Sequence, residues 1–179
     1  MNQDNTNFQT PQWVCELMVS LVPSDCLSIL EPTSGNGNLV WALRKYRHFC
    51  VTAPKNCWKD SGTYYKTKWH WDCIVMNPPF SPPLLGYKFL FACMAKTNNI
   101  IALMPWWTII NSQYRTKEIV NWGLKEIYHL PRSAFPGSRI QTCILKLQKG
   151  YSGITKLHLS DHWPEVKGKI KCQRLIPII

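Results

Sequence analysis

The sequence is short of acid relative to base. Its 179 residues hold 10 Asp and Glu against 21 Lys and Arg, a formal net charge of +11. That surplus of positive charge favours a polyanion such as nucleic acid, whose phosphates Lys and Arg would meet. A charge surplus that serves only solubility is the plainer alternative. Metal-binding patterns are also missing. None of the eight cysteines, at positions 15, 26, 50, 57, 73, 93, 143 and 172, forms a Cys-x-x-Cys pair, and the five histidines do not fall at ligand spacing. No metal site is therefore expected. Several cysteines sit inside apolar runs, where free thiols behave as small buried hydrophobes. There is no long apolar span and no signal-peptide pattern, so no membrane partner and a reduced, cytoplasmic setting are the expectation. No internal repeat or low-complexity segment is present.

What the chain does have is two strand-and-loop segments. The apolar run Cys73-Ile74-Val75-Met76 ends in Asn77-Pro78-Pro79-Phe80. The run predicts a buried strand, and the two prolines fix the turn after it and remove two N–H donors. An amide and an aromatic ring are thus held side by side at an open strand end. The amide oxygen and a backbone carbonyl can accept hydrogen bonds from an amine, and the ring can stack on a flat substrate. An ordinary proline turn with a core phenylalanine is the alternative. Upstream, Leu27-Ser28-Ile29-Leu30 predicts a second buried strand running into Glu31-Pro32-Thr33-Ser34-Gly35-Asn36-Gly37-Asn38. Apolar residues at helical spacing follow, from Leu39 to Tyr46. Strand, glycine loop and helix form the layout of a nucleotide-binding turn, and Gly35 and Gly37 permit close backbone approach. The loop lacks the Gly-Lys-Ser/Thr ending of a phosphate loop. An acid at the strand end suits a ligand with a cationic amino group better than a pyrophosphate.

Together these segments resemble the S-adenosylmethionine-dependent methyltransferases that modify the exocyclic amine of adenine in DNA. Residues 31–38 look like their cofactor loop and Asn77-Pro78-Pro79-Phe80 like their catalytic tetrapeptide. Phe8-Gln9-Thr10-Pro11 is similar to their Thr-Pro segment, which contacts the methionine end of the cofactor. The order of the three resembles the gamma arrangement, as in small phage or bacterial enzymes without a separate target-recognition domain. The resemblance implies S-adenosylmethionine as cofactor, held by Phe8, Thr10, Pro11, Glu31, Pro32, Ser34, Gly35 and Gly37. It implies Asn77, Pro78, Pro79 and Phe80 as the catalytic set, acting on a base flipped out of the duplex. Phe80 would stack on that base. Phe135, in the looser match Leu130-Pro131-Arg132-Ser133-Ala134-Phe135, would close the other side. Both phenylalanines have core packing as an alternative, Glu31 could be a surface acid, and Thr10 a helix cap before Pro11.

The expected fold is α/β: one doubly wound, mostly parallel sheet of the class I methyltransferase, Rossmann-like type, with the ligand at the strand carboxyl ends. The expected organisation is a single domain over 1–179, with a catalytic core at 8–149 and a basic extension at 150–179 that forms an extra strand or a tail. Asp72 is expected to cap or pair rather than catalyse. Lys66, Lys68, Arg132 and Arg139 are the expected backbone contacts to DNA or RNA. Two departures from the family pattern stand out. No carboxylate occupies Thr52-Ala53-Pro54, where family members place a ribose-binding acid. No separate recognition domain is expected in 179 residues, and a partner subunit would then supply specificity. Two alternatives share the pocket. One is a catalytically silent nucleic-acid-binding relative. The other is a methyltransferase acting on RNA adenine or protein glutamine.

Overall fold

In the computed structural model the described residues are 9–47, 50–52 and 70–159. Their strands form one seven-stranded sheet in the order β2-β1-β3-β4-β6-β5-β7. The strands are β1 (Ser28–Leu30), β2 (Cys50–Thr52), β3 (Cys73–Met76), β4 (Asn99–Pro105), β5 (Leu124–His129), β6 (Thr142–Gln148) and β7 (Lys156–Leu159). All neighbours pair in parallel except β6, which runs antiparallel to both β4 and β5. The described helices are α1 (Gln12–Ser20), α2 (Asn38–Arg47), α3 (Leu85–Met94) and α4 (Gln113–Gly123).

Strand alternation divides the core into two layers. Ile29, Cys73, Val75, Ile101, Leu103 and Ile144 face a cluster built with Val14, Met18, Leu39 and Leu43 from α1 and α2. Leu30, Ile74, Met76, Ile100, Ala102, Met104 and Leu145 face the other way, onto Phe89 and Leu90 of α3 and Ile119 of α4. Strands buried on both faces explain why β3 and β4 are continuous apolar runs rather than alternating ones. Each fully buried aliphatic side chain contributes about 1.5–3 kcal/mol.

The chain leaves β1 to one side through α2 to β2, then returns to β3 on the other side. The carboxyl ends of β1 and β3 therefore open onto the switch point of the sheet, where doubly wound folds hold their ligands. At the opposite end, Asp72 ties the same two strands together. Its Oδ2 accepts from the Leu27 and Ser28 backbone N–H groups and the Ser28 hydroxyl at 2.8–2.9 Å. These bonds hold its carboxyl below the ordinary range. Gly123 makes the turn from α4 into β5 possible. Its φ is +134°, and a Cβ there would lie 1.9 Å from the Gln148 carbonyl oxygen. The sheet also continues past residue 149, because β7 pairs with β5 from Glu126↔Lys156 to His129↔Leu159. Of the two forms expected for the segment after 149, residues 156–159 take the strand.

Candidate functional site

Four side chains connect the carboxyl ends of β1 and β3 to the entry of α1. Glu31, directly after β1, is 0% exposed. Its Oε1 accepts from the Thr33 N–H at 2.8 Å and the Thr33 hydroxyl at 2.6 Å. Thr33 Oγ1 in turn accepts from the Asn77 backbone N–H at 3.0 Å. The Asn77 side-chain Nδ2 donates to Thr10 Oγ1, also at 3.0 Å. Glu31, Thr33, Asn77 and Thr10 thus form one chain of hydrogen bonds across three separate segments. The arrangement aims the Asn77 amide. With its NH₂ held by Thr10, its carbonyl oxygen is left as an acceptor and receives no hydrogen bond among the described residues.

The glycine loop is fastened to the same frame. Asn36 N–H donates to Gln9 Oε1 at 3.1 Å, and Asn38 Nδ2 donates to the Thr10 carbonyl at 3.1 Å. Gly37 N–H closes the turn onto the Ser34 carbonyl at 2.7 Å. Gly35 has φ +50°, and a Cβ there would stand 3.0 Å from Gln9 Oε1. A side chain at 35 would therefore strain the backbone and press on the residue that anchors the loop. Above the loop lies a depression of about 600 Å³ lined by Ser34, Gly35, Asn36, Gly37, Val40, Trp41, Arg44 and Lys45. A second hollow of about 340 Å³, between Pro23, Asp25, Asn99, Lys125 and Lys146, is at the other end of the sheet, away from these groups.

The electrostatics single out Glu31. Burial pushes its carboxyl up to about 7, with the two Thr33 hydrogen bonds opposing the rise. Its second oxygen, Oε2, is buried and has no hydrogen-bond partner. An unpaired buried carboxylate oxygen is costly, and a ligand ammonium would satisfy it. The group therefore fits the amino end expected of the cofactor. Cys15, nearby on α1, donates to the Thr10 carbonyl and is itself raised to about 12 by burial and by Glu31. It is a packing thiol in this frame.

Most expected site residues converge here: Thr10, Pro11, Glu31, Pro32, Ser34, Gly35 and Gly37 around the loop, and Asn77, Pro78, Pro79 and Phe80 after β3. Pro78 is buried, and Pro79 and Phe80 are half-buried. Phe135 is placed differently from the expected closing ring. It is 6% exposed and belongs to the core cluster with Val14, Met18 and Ile144, so its ring packs inward. Arg132 and Arg139 are exposed on the loop between β5 and β6, joined by a bond from Arg132 Nη2 to the Arg139 carbonyl at 3.2 Å. That loop leaves β5 at the same end of the sheet as Asn77. Phe8, Lys66 and Lys68 lie outside the described residues, as does Ala53-Pro54 after β2. Thr33, Gln9 and Asn38 lie inside the motifs but were not among the expected site residues; the structure makes them positioning residues. A hydroxyl two residues after a strand-end acid is a signal that could have found Thr33, since Ser and Thr side chains commonly bond back to nearby groups in turns.

Solved structures carry the same architecture. The modification subunit assigned to a type I restriction enzyme of Vibrio vulnificus superposes with a TM-score of 0.68 at 18% identity, over 92% of this chain and 49% of that one. A protein of Listeria monocytogenes assigned as a class I S-adenosylmethionine-dependent methyltransferase gives 0.64 at 16% identity, over 87% and 67%. The methyltransferase subunit of a type I restriction-modification system from Streptococcus thermophilus gives 0.60 at 15%, over 81% and 45%. The fold is that of the class I methyltransferases. The chain spans about half the length of the two restriction-modification subunits. No protein-family model and no curated protein matches the sequence. Among the described residues no group of three or more His, Cys, Asp or Glu could hold a metal ion, and no helix is long and apolar enough to cross a membrane.

Proposed function

We propose that this protein transfers a methyl group from S-adenosylmethionine to the exocyclic amine of adenine in DNA. The observation that carries the reading is the fixed Asn77 amide. Its NH₂ is committed to Thr10, so its oxygen accepts beside the Pro78 carbonyl at the switch point of a methyltransferase fold. S-adenosylmethionine, held by the glycine loop and by Glu31 at its amino end, would supply an activated methyl group. The chain's own residues do the rest. Two acceptors on one amine favour a pyramidal nitrogen whose lone pair is freed from the ring, so positioning replaces a strong base before attack; the N–C bond forms as the S–CH₃ bond breaks, and the methylated amine then gives its surplus proton to water. The ring of Phe80 supports the flipped base from one side. Phosphate contacts would come from the basic surface, including Arg132 and Arg139, with Lys66 and Lys68 as further candidates. The likeness to restriction-modification subunits supports a DNA acceptor and a partner subunit that supplies specificity.

The test is an acceptor assay with labelled S-adenosylmethionine and separate DNA, RNA and protein. The expected result is label on DNA adenine that disappears in Asn77→Ala. Label on RNA adenine or protein glutamine alone would move the reaction to that acceptor. One observation favours a second reading. Strand β2 ends at Thr52, without the carboxylate that would bind the cofactor ribose. A silent, nucleic-acid-binding relative would then show no calorimetric binding of S-adenosylmethionine, with or without DNA.

A further inference from the structure

At the same end of the sheet as the Asn77–Phe80 turn, on the chain that leaves the neighbouring strand, stands a cation whose position nothing in the proposed chemistry explains. Strands β3 and β4 run side by side, with Met76 opposite Ala102. The chain leaving β4 therefore emerges next to the chain leaving β3. It forms a 3₁₀ turn, Trp106–Ile109, and passes through Ser112 into α4. The start of α3 packs against both exits: a Cβ on Gly86 would lie 3.6 Å from the Pro79 carbonyl and 3.4 Å from Met104 Cε. The next residue, Tyr87, donates its hydroxyl toward the Thr108 carbonyl at 3.0 Å and the Trp107 carbonyl at 3.2 Å. Its ring, 5% exposed, stacks on Phe91. Tyr87 is thus held in place one residue along α3 from the contact with the Asn77–Phe80 turn.

Arg115 lies over that residue. Its guanidinium carbon is 4.3 Å from the Tyr87 ring centroid. Its backbone N–H bonds to the Ser112 hydroxyl, which caps α4, and Thr116 Oγ1 donates to the Ile109 carbonyl at 3.0 Å. The guanidinium is therefore held at both its root and its face. Yet no carboxylate pairs with it among the described residues, whereas Lys146 has Glu126 at 3.0 Å. Its Nε is buried without a hydrogen-bond partner, and so is the hydroxyl of Thr108, which is 1% exposed. Stacking suits a structural role for the ring but leaves the outer N–H groups unused. A planar fork fixed by an aromatic face, with no internal anion, is the arrangement that receives a phosphate in two parallel hydrogen bonds.

We infer that Arg115, stacked on Tyr87, binds a phosphodiester of the strand whose base enters the Asn77–Phe80 pocket. The inference rests on the nucleic-acid reading of that pocket. It assigns α4 and the turn after β4 a direct part in holding the strand, with Arg132 and Arg139 at the same end of the sheet as neighbours along its path.

The test compares Arg115→Met, Arg115→Lys and the surface control Lys117→Met in the full chain. Each is titrated with a 15-nucleotide single strand and with its duplex across a salt series. Salt dependence counts the phosphates neutralised, at about 0.9 per contact on duplex and 0.7 on single strands. Arg115→Met is expected to lower the slope by about that amount and to weaken binding about tenfold at 0.1 M salt. Arg115→Lys should keep the slope but bind several-fold more weakly, because it keeps the charge and loses the fork. Lys117→Met should change neither, and calorimetric binding of S-adenosylmethionine should be the same in all three. If Arg115→Met binds DNA as the parent does, the inference falls while the pocket reading stands. An equal loss in Lys117→Met would overturn it as well, since Arg115 would then be part of a diffuse field. Should Arg115→Met fail to fold, the Lys variant decides: binding as tight as the parent at every salt concentration removes the fork. A parent protein that binds neither strand nor duplex would overturn both the inference and the nucleic-acid reading.

Discussion

Two carboxylates bracket the β1–β3 pair, and they are opposites. Asp72, at the amino ends of the strands, is exposed and accepts from two backbone N–H groups and a hydroxyl through one oxygen. Glu31, at the carboxyl ends, is wholly buried, accepts from one N–H and one hydroxyl, and leaves its other oxygen without a partner. Asp72 is held below the ordinary carboxyl range by its hydrogen bonds, whereas burial drives Glu31 up to about 7. Similar local chemistry gives one acid that fastens strands and one whose need for a partner is unmet. The difference lies in water. Solvent completes the shell of Asp72, and no described residue completes that of Glu31.

The largest effect expected from breaking this contrast is a change in pH dependence. Because the folded Glu31 holds its proton up to about 7 against an ordinary 4.5, its contribution to stability is present below about 4.5 and is lost as pH rises through 7. In the ligand-free protein the loss amounts to as much as about 3 kcal/mol. Glu31→Gln should remove that slope, so denaturant melts from pH 5 to 8 should show the variant gaining on the parent as pH rises. A parent curve that is flat between pH 5 and 8 would refute the unpartnered buried acid.

The same substitution should act in the opposite sense on the ligand. An ionised Glu31 is what an ammonium group needs, so affinity for S-adenosylmethionine should climb as pH rises toward 7 and level off above it. Glu31→Gln should weaken it about 100-fold, or about 2.7 kcal/mol. Calorimetry at pH 6 and 8 checks both statements. Asp72→Asn should leave that affinity unchanged.

Thr10 sharpens the contrast from the catalytic side. Thr10→Val removes the acceptor for the Asn77 NH₂ and leaves the amide free to turn. Methyl transfer is expected to slow about tenfold, or about 1.4 kcal/mol, with S-adenosylmethionine affinity within a factor of three. A loss confined to affinity would instead make Thr10 a cofactor contact. The smallest effect belongs to Asp72. Asp72→Ala gives up three exposed hydrogen bonds, which solvent partly replaces, so the expected cost is about 1 kcal/mol. That cost should vanish in acid, because the stability held by a depressed carboxyl is lost as pH falls below its ordinary 3.8. Urea melts at pH 3 and pH 7 would show it.

Strand β3, read from its four consecutive apolar residues, spans Cys73–Met76 as expected, and α2 falls within one residue of its expected limits. Such elements are legible because burial on two faces demands uninterrupted apolar runs, and burial on one face demands helical spacing. Asp72 was legible as a pairing acid for a similar reason, since it directly precedes a buried strand. Phe135 was not. An aromatic in a loop can face a substrate or the core, and only the packing of α1 against β6 decides that it turns inward. β7 was half-legible: the residues permit a strand, but its parallel pairing with β5 depends on an edge made by other parts of the chain.

The order of the motifs, the glycine positions and the placement of Asn77 after a buried strand are local properties, and the sequence by itself determined them. The identity of the amide's partners was decided elsewhere. Thr10 lies 67 residues from Asn77 and Thr33 lies 44 away. Only the crossover that brings β3 beside β1 makes them neighbours. The state of Glu31 is likewise tertiary. An acid after a strand carries an ordinary charge until helices and loops exclude water from it, and burial then makes the same residue hold its proton up to about 7.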